Sequence, residues 1–186
     1  METALAIDVG GTKLAAARVD TSGRLEGRRV APTPARGDAE ELWSRLAELV
    51  VAVRRGDEVV VGAGCGGPMA PGGSRVSPLN IPAWVGFPLR DRLAALTGLP
   101  VHVDNDAKAL ALGEGWVGAA RGERDFVAMV VSTGVGGGIV LDGRLLDGAA
   151  GNAGHIGHVI VVPDASASRH PRAPQAHTRP SGSTHT

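Results

Sequence analysis

Two glycine-rich turns, each between two apolar runs, constrain this chain more than any other feature of its sequence. The first is Asp8-Val9-Gly10-Gly11-Thr12-Lys13, and the second spans 132–138, which reads Ser-Thr-Gly-Val-Gly-Gly-Gly. Glycines let a backbone approach a phosphate closely, although a plain hairpin turn explains the first motif equally well. No helix pattern follows the first turn, so it is neither a Walker A loop nor a dinucleotide fingerprint. Together the two turns predict a duplicated fold that closes on one nucleotide from both sides.

The rest of the chain alternates between strand and helix patterns. Helices are predicted to begin after positions 38, 88 and 106 and to end near 56, 98 and 116. Strands are predicted at 4–9, 14–19, 24–31, 59–63, 101–103, 126–131, 138–141 and 156–162. The first three strands form two hairpins in succession, which indicates an antiparallel start, and the more polar third strand is expected near an edge. We expect the stretch 64–82, rich in glycine and proline, to be an irregular loop outside the core.

Composition excludes several classes of function. Lys and Arg total 19, and so do Asp and Glu, so bulk charge favours neither nucleic acid nor an anionic membrane as a partner. The single cysteine excludes an internal disulfide and a cluster of several cysteines around a metal. No apolar run approaches the length of a membrane span, and no basic segment of the signal-peptide kind precedes the first apolar run. We therefore expect a cytoplasmic protein that binds no nucleic acid and no membrane.

Further motifs carry side chains suited to chemistry. Asp104-Asn105-Asp106 lies between a predicted strand and an apolar helix, and it holds more polar groups than capping requires. A carboxylate in a cleft is a good general base for a hydroxyl, and a neighbouring Asn can orient that hydroxyl. His155 and His158 are three residues apart, which is weak evidence for a metal and by itself favours a loop with two hydrogen-bonding imidazoles. At the end of the first strand, Asp8 can hold a hydrated Mg²⁺.

Taken together, these segments resemble the ROK family of sugar kinases and repressors, from about residue 4 to residue 162. The most specific stretch is 131–158, where the second glycine-rich turn precedes the pattern Gly-x-x-Gly-His-Ile-Gly-His. The resemblance implies an α/β fold of the actin/hexokinase-like (ribonuclease H-like) class. It places an N-terminal lobe with a mixed sheet at 1–119 and the first strands of a second, similar lobe at 120–163.

The resemblance also implies a role for each matching residue. Asp106 takes the place of the catalytic base. The sugar-contacting positions are Gly67, Asn80, Asn105, Asp106, His155 and His158. The nucleotide-contacting positions are Asp8, Gly10, Gly11, Thr12, Lys13, Thr133, Gly134 and Gly136, with Mg²⁺ held by Asp8 through water. In family members His158 also ligates a structural zinc, which a later cysteine cluster completes, whereas no cysteine follows His158 here.

The activity implied by the resemblance is ATP-dependent phosphorylation of a hexose at its 6-hydroxyl, with sugar and ATP as partners. Family members are homo-oligomers, and an incomplete chain is expected to lack the surfaces that assemble them. Glucose is the first expectation. N-acetylmannosamine is the alternative, because His155 stands where glucokinases of the family usually carry Glu, and imidazole offers fewer acceptors to vicinal hydroxyls. A sugar-sensing repressor is disfavoured, since only residues 1–3 precede the first predicted strand and leave no room for a DNA-binding helix-turn-helix. A non-catalytic fragment is the third hypothesis.

Residues 164–186 differ in composition from everything before them. They contain no Leu, Ile, Val, Phe, Met or Trp, and are predicted to be disordered because they cannot form a core. The abrupt change suggests the hypothesis that this tail is translated in a shifted reading frame and that the chain is an incomplete form of the enzyme. Strands in the region 126–162 would then lack their covering helices and expose apolar surface.

Overall fold

The computed structural model describes residues 2–34, 37–131, 134–149, 151 and 153–159, with the backbone alone for His158. The elements in chain order are β1 (Thr3–Val9), β2 (Lys13–Asp20), β3 (Leu25–Pro32), α1 (Ala39–Val53), β4 (Glu58–Cys65), α2 (Leu89–Thr97), β5 (Val101–Asn105), α3 (Asp106–Val117), β6 (Phe126–Val131), β7 (Val135–Leu141) and β8 (Arg144–Leu145). Short 3₁₀ turns occur at Pro71–Gly73 and Ile156–His158. Within the described ranges, no helix combines the length and the apolar character needed to cross a membrane.

Five strands form what we call the first sheet, in the order β3-β2-β1-β4-β5. The strands β1, β2 and β3 pair as two antiparallel hairpins with β3 at the edge, which confirms the predicted start. The strands β4 and β5 run parallel to β1, because α1 and α2 carry the chain back between them. The mixed sheet expected from the resemblance is therefore confirmed.

The core of the first sheet is built on the apolar side of α1. Asp38 caps this helix by accepting a hydrogen bond of 2.8 Å from the backbone N–H of Glu41, as the sequence predicts. The side chains that α1 buries follow at helical spacing and are Leu42, Leu46, Val50 and Val53. Gly98 ends α2 with a left-handed φ of 71°, a conformation that glycine adopts without strain.

The stretch 64–82 is largely irregular, as expected, but parts of it belong to the core, so the expectation that it lies outside the core is wrong. Val76 and Ile81 are buried. Val76 and Phe87 exchange two backbone hydrogen bonds, of 3.0 and 2.9 Å, so this backbone is satisfied without a full strand. Phe87 in turn stacks on Trp84, with ring centroids 4.1 Å apart. Single bridges of this kind have no sequence periodicity, which is why the pattern misses them.

Three strands form the second sheet, an antiparallel meander in the order β6-β7-β8. Its middle strand begins at Val135, not at 138 as predicted, so three glycines of the second turn lie within β7. One face of the sheet packs on α3. A Cβ added at Gly138 would lie 2.5 Å from the Cβ of Ala111, so the glycine allows strand and helix to approach this closely.

The other face of the second sheet is open in the part of the chain that the structure describes. Alternate residues of β6 point to it, with exposed fractions of 55% for Val127, 57% for Met129 and 74% for Val131. This agrees with the predicted exposure of apolar surface.

The strand predicted at 156–162 is wrong where the structure describes it. Ile156–His158 forms a 3₁₀ turn, and Val159 lies outside any strand. Gly154 and Gly157 bring this segment so close to the backbone of β7 that a Cβ at either position would collide with a carbonyl oxygen. The segment therefore packs on β7 through glycine contacts. Residues 160–162 and the tail at 164–186 lie outside the described residues, so the predicted disorder and the reading-frame hypothesis stay predictions.

Candidate functional site

The parallel strands of the first sheet bring three segments of the sequence to one edge. In the pairing of β1 with β4, Val9 lies beside Cys65, and in that of β4 with β5, Cys65 lies beside Asn105. Asp8 therefore stands at the same edge as Asp106, which follows β5 directly as the first residue of α3. This edge holds the first glycine-rich turn and the Asp-Asn-Asp motif together.

The carboxylate of Asp8 is affected by its surroundings at this edge. Partial burial takes water away from this carboxylate and raises the pKa of Asp8 above its ordinary value, and the negative charge of Asp106 raises it further. Lys13 and Arg28 act in the opposite direction. Because a divalent cation relieves repulsion between carboxylates, the pair fits the Mg²⁺ that the resemblance implies.

Cys65 is buried in the core of the first sheet, close enough to both carboxylates to be affected by their charges. Burial raises the pKa of its thiol to about 12, and the charges of Asp106 and Asp8 add to the effect. The thiolate is the reactive form of cysteine, so this side chain stays an inert, neutral thiol at physiological pH.

The first glycine-rich turn is held in shape by a residue that sequence analysis missed. The N–H of Gly10 donates to the carbonyl of Lys13 at 3.0 Å and closes the turn. Thr33 donates from its hydroxyl to the carbonyl of Gly10 at 2.6 Å and from its backbone N–H to the carbonyl of Thr12 at 3.0 Å. Because Thr33 lies just beyond β3, no local pattern links it to the turn.

The first turn also touches a loop that the resemblance assigns to the sugar. A Cβ added at Gly11 would lie 2.5 Å from the Cβ of Asn80, so only glycine allows this approach. A cavity of about 320 Å³ opens beside the contact, lined among others by Thr33, Ile81 and Leu42. A predicted nucleotide position and a predicted sugar position therefore adjoin.

Three more of the predicted sugar positions converge. A Cβ placed on Gly67 would lie 3.8 Å from Nε2 of His155 and 3.9 Å from Nδ2 of Asn105. The oxygen of the same Asn105 amide accepts a hydrogen bond from the N–H of Ala107 at 3.0 Å, which caps α3 and orients the side chain. The carbonyl of Gly67 accepts from the N–H of Leu79 at 3.2 Å, which fixes the residue next to Asn80.

The second glycine-rich turn is only partly described. Ser132, Thr133 and Asn152 lie outside the described residues, and Gly134 is exposed. Gly136 lies in β7, where an added Cβ would be 3.0 Å from the Cβ of Ala107 in α3. The structure therefore explains this glycine by its packing on the helix, and its contact with a nucleotide stays a prediction.

Lys108 is the second residue that sequence analysis missed. It lies in the first turns of α3 and is almost completely buried. Its Nζ donates to Oδ1 of Asp147 at 2.7 Å and to the carbonyl of Gly151 at 3.0 Å. It also lies 3.7 Å from Oδ1 of Asp104, and the spacing of four residues between these opposite charges is a signal that the sequence carries.

The described His, Cys, Asp and Glu side chains do not support the zinc site that the resemblance implies. Among the described residues, no group of three or more His, Cys, Asp and Glu side chains could hold a metal ion. The side chain of His158 lies outside the described part of the chain. The only cysteine, Cys65, lies at the carboxylate edge, so the residues present do not fit a zinc site of the expected kind.

Comparison with known proteins shows which proteins this chain is similar to. The family model described as ROK family matches residues 4–173. The N-acetylmannosamine kinase of Citrobacter koseri is 45% identical over 159 residues, which are 86% of this chain and 54% of that protein. The glucokinase of Thermotoga maritima is 39% identical over 163 residues, which are 86% of this chain and 51% of that protein.

A solved structure is similar in fold. The ROK family glucokinase from Streptomyces griseus, in complex with glucose and AMPPNP, matches with a TM-score of 0.78 and 37% identity. The match covers 87% of this chain and 52% of that one, so the chain spans about half the length of the relatives it matches. The actin/hexokinase-like architecture expected from the sequence is confirmed by this likeness.

Proposed function

Because the chain belongs to the ROK family, we propose that its site serves the ATP-dependent phosphorylation of a hexose at the 6-hydroxyl. The observation that carries this proposal is the convergence of Gly67, Asn105 and His155, which lie together where α3 begins with Asp106. Hydrogen-bonding groups around a polar ligand and a carboxylate beside it are what proton abstraction from a sugar hydroxyl requires.

In this proposal Asp106 is the general base. Its carboxylate accepts the proton of the sugar hydroxyl, and the hydroxyl oxygen forms a bond to the γ-phosphorus of ATP as the bond from that phosphorus to the β–γ bridging oxygen breaks. Asn105 and His155 hold the sugar so that its oxygen stands in line with the phosphate. Positioning of this kind accounts for much of the rate in phosphoryl transfer.

The phosphate end of the site is formed by the first glycine-rich turn. Its glycines let the phosphates approach the backbone, and Lys13 brings a positive charge. Asp8 would hold Mg²⁺ through water, and when bound this ion neutralises charge on the phosphate oxygens. The influence of Asp106 on the pKa of Asp8 supports such an ion, because it reports two negative charges in one place.

N-acetylmannosamine is the second candidate substrate beside glucose. Two observations favour it. By the family resemblance, His155 stands where glucokinases usually carry Glu, and a relative that is 45% identical is an N-acetylmannosamine kinase. Glucose is supported by a glucokinase relative that is 39% identical and by a solved glucokinase structure that is 37% identical.

The experiment is a sugar panel measured twice, for binding by calorimetry and for transfer of phosphate from ATP with Mg²⁺. Asp106→Asn should lower turnover by about 10²–10⁴-fold while the sugar still binds, because it removes the base and keeps the shape. Asp91→Asn is the matched control, since Asp91 also lies in the first turn of a helix and is expected to leave turnover unchanged.

Each outcome decides between classes of protein. Turnover that survives in Asp106→Asn contradicts the role of the base. A wild-type chain that binds a sugar and transfers no phosphate supports the third hypothesis, a non-catalytic fragment, over an active kinase. Absence of binding to every hexose of the panel contradicts the sugar site itself.

A further inference from the structure

Lys108 is a buried cation that the proposed chemistry does not use. Only 2% of the residue is exposed. A buried ammonium loses its hydration, and a Met of similar length would fill the same space without that loss. The reason for a charge at this position therefore lies in the groups that Nζ contacts.

On one side, Nζ faces the end of β5. It lies 3.7 Å from Oδ1 of Asp104. The same Oδ1 accepts a hydrogen bond of 2.7 Å from the backbone N–H of Asn105. The ammonium group thus stabilises the carboxylate that holds the backbone of one proposed sugar ligand.

On the other side, Nζ closes the loop that precedes the second ligand. It donates to the carboxylate of Asp147 at 2.7 Å and to the carbonyl of Gly151 at 3.0 Å. The backbone carbonyl of Asp147 accepts in turn from the N–H of Ala153 at 3.0 Å, so both ends of the loop are tied together. His155 follows two residues later.

We propose that Lys108 is a positioning residue, which fixes the separation of Asn105 and His155 across the sugar pocket. A single buried ammonium group contacts the segments that carry both residues, and it bonds directly to Asp147 and to the carbonyl of Gly151, although the carboxylates of Asp104 and Asp147 are themselves partly exposed. The inference rests on the proposed function, because it takes the pocket between Asn105 and His155 as the sugar site.

Lys108→Met is the first test, because it removes the charge and keeps the apolar stem. The affinity for glucose or N-acetylmannosamine should fall about tenfold, since displaced ligand groups lose their contacts. The affinity for ATP should stay within about twofold, because the polar contacts of Lys108 do not involve the first glycine-rich turn. Calorimetry measures both. Equal losses in the two affinities, or no loss in either, would overturn the inference.

Asp147→Asn weakens the same ion pair by removing the charge of its other partner. Sugar affinity should fall in the same direction, and the double variant with Lys108→Met should bind no more weakly than Lys108→Met alone. Asp142→Asn is the matched control, because it breaks an exposed ion pair with Arg124, and Asn tolerates the φ of 51° at this position. A control that loses as much affinity as Asp147→Asn counts against the inference.

Hydrogen exchange distinguishes failure of this inference from failure of the proposed function. In Lys108→Met, the amides of 151 and 153–157 should exchange faster, while the amides of α1 keep their wild-type rates. If the wild-type chain binds no sugar, the proposed function fails and the exchange rates alone decide on Lys108. Unchanged exchange at 151 and 153–157 then refutes its positioning role.

Discussion

The two sheets differ in how much of their apolar surface is covered. The first sheet has a continuous core that includes α1, α2 and the loop after β4. The described part of the second sheet buries Val140 and leaves Val127, Met129 and Val131 exposed. The first sheet therefore holds itself together, while the second depends on its contact with α3.

The helix α3 lies between the sheets and contacts strands of both. It begins with Asp106 and carries Lys108 two residues later, so the proposed base and the proposed positioning residue stand where the two sheets meet. The geometry of the site therefore depends on the contact of α3 with the second sheet as well, which is the sheet with the less covered apolar surface. Four substitution pairs put the comparison to the test, in order of expected effect.

The largest difference in the free energy of unfolding is expected between breaking a buried ion pair and breaking an exposed one. Arg18 is buried in the first sheet and contacts Glu58 at 2.9 Å and Asp57 at 2.7 Å. Arg18→Met should lower the free energy of unfolding by about 3–5 kcal/mol, because it leaves Glu58 as a buried charge without this partner. Arg124→Met should cost less than about 1 kcal/mol, since its ion pair with Asp142 is exposed. Urea unfolding measures both, and equal costs would remove the contrast between the sheets.

Two leucines compare the covered and the open surfaces directly. Leu46 of α1 is fully buried, whereas Leu141 of β7 is half exposed. Leu46→Ala should cost about 2–5 kcal/mol through lost burial and a cavity. Leu141→Ala should change stability by no more than about 0.5 kcal/mol, as surface substitutions do. A comparable cost at Leu141 in thermal unfolding would mean that its side chain is covered in solution.

Two strand glycines test the contact that holds the second sheet. An added Cβ at Gly138 would meet Ala111 at 2.5 Å, whereas at Gly62 it would meet no heavy atom within 4 Å. Gly138→Ala should lower stability by about 1–3 kcal/mol through overpacking. Gly62→Ala should be neutral or raise it by up to about 1 kcal/mol, because Ala restricts the unfolded chain. The same response in both variants would show that β7 does not pack closely on α3.

A substitution at the carboxylate edge should change the free energy of unfolding least, and it should stabilise the protein. Asp8 has a raised pKa, so folding disfavours its ionised form at pH 7. Asp8→Asn should therefore raise the free energy of unfolding at pH 7, by less than about 1 kcal/mol because solvent screens this exposed group. The gain should shrink as the pH falls through the raised pKa of Asp8 and vanish below its ordinary value of 3.8.

Asp20 is the control with the opposite sign. A hydrogen bond from the hydroxyl of Ser22 lowers the pKa of Asp20, so its ionised form stabilises the fold above the ordinary value of 3.8. Asp20→Asn should reduce stability at pH 7, and the difference should fade as the pH drops through the lowered pKa. Identical pH profiles for the two variants in urea unfolding would contradict the assignment of Asp8 to a crowded carboxylate edge.

Much of the fold could be predicted from local patterns. The two hairpins, the start of α1 at Asp38 and the end of α2 at Gly98 all follow from residues close to them in sequence. The motifs that carry Asp8 and Asp106 are also local patterns, whereas their meeting at one edge depends on the parallel pairing of β1, β4 and β5. The effect of the Asp106 charge on the pKa of Asp8 required the register of three strands, which no local pattern contains.

Sequence alone thus determined most of the strands, the helices and the candidate residues of the site, because these depend on neighbours a few positions away. The tertiary structure alone decided the burial of Val76, the clamp of Thr33 on the first turn and the glycine packing of β7 on α3. It also decided that Lys108 joins β5 to a loop 39 residues later in the chain. Such contacts form between segments brought together only by packing, and their energies depend on distance and burial in space rather than on sequence separation.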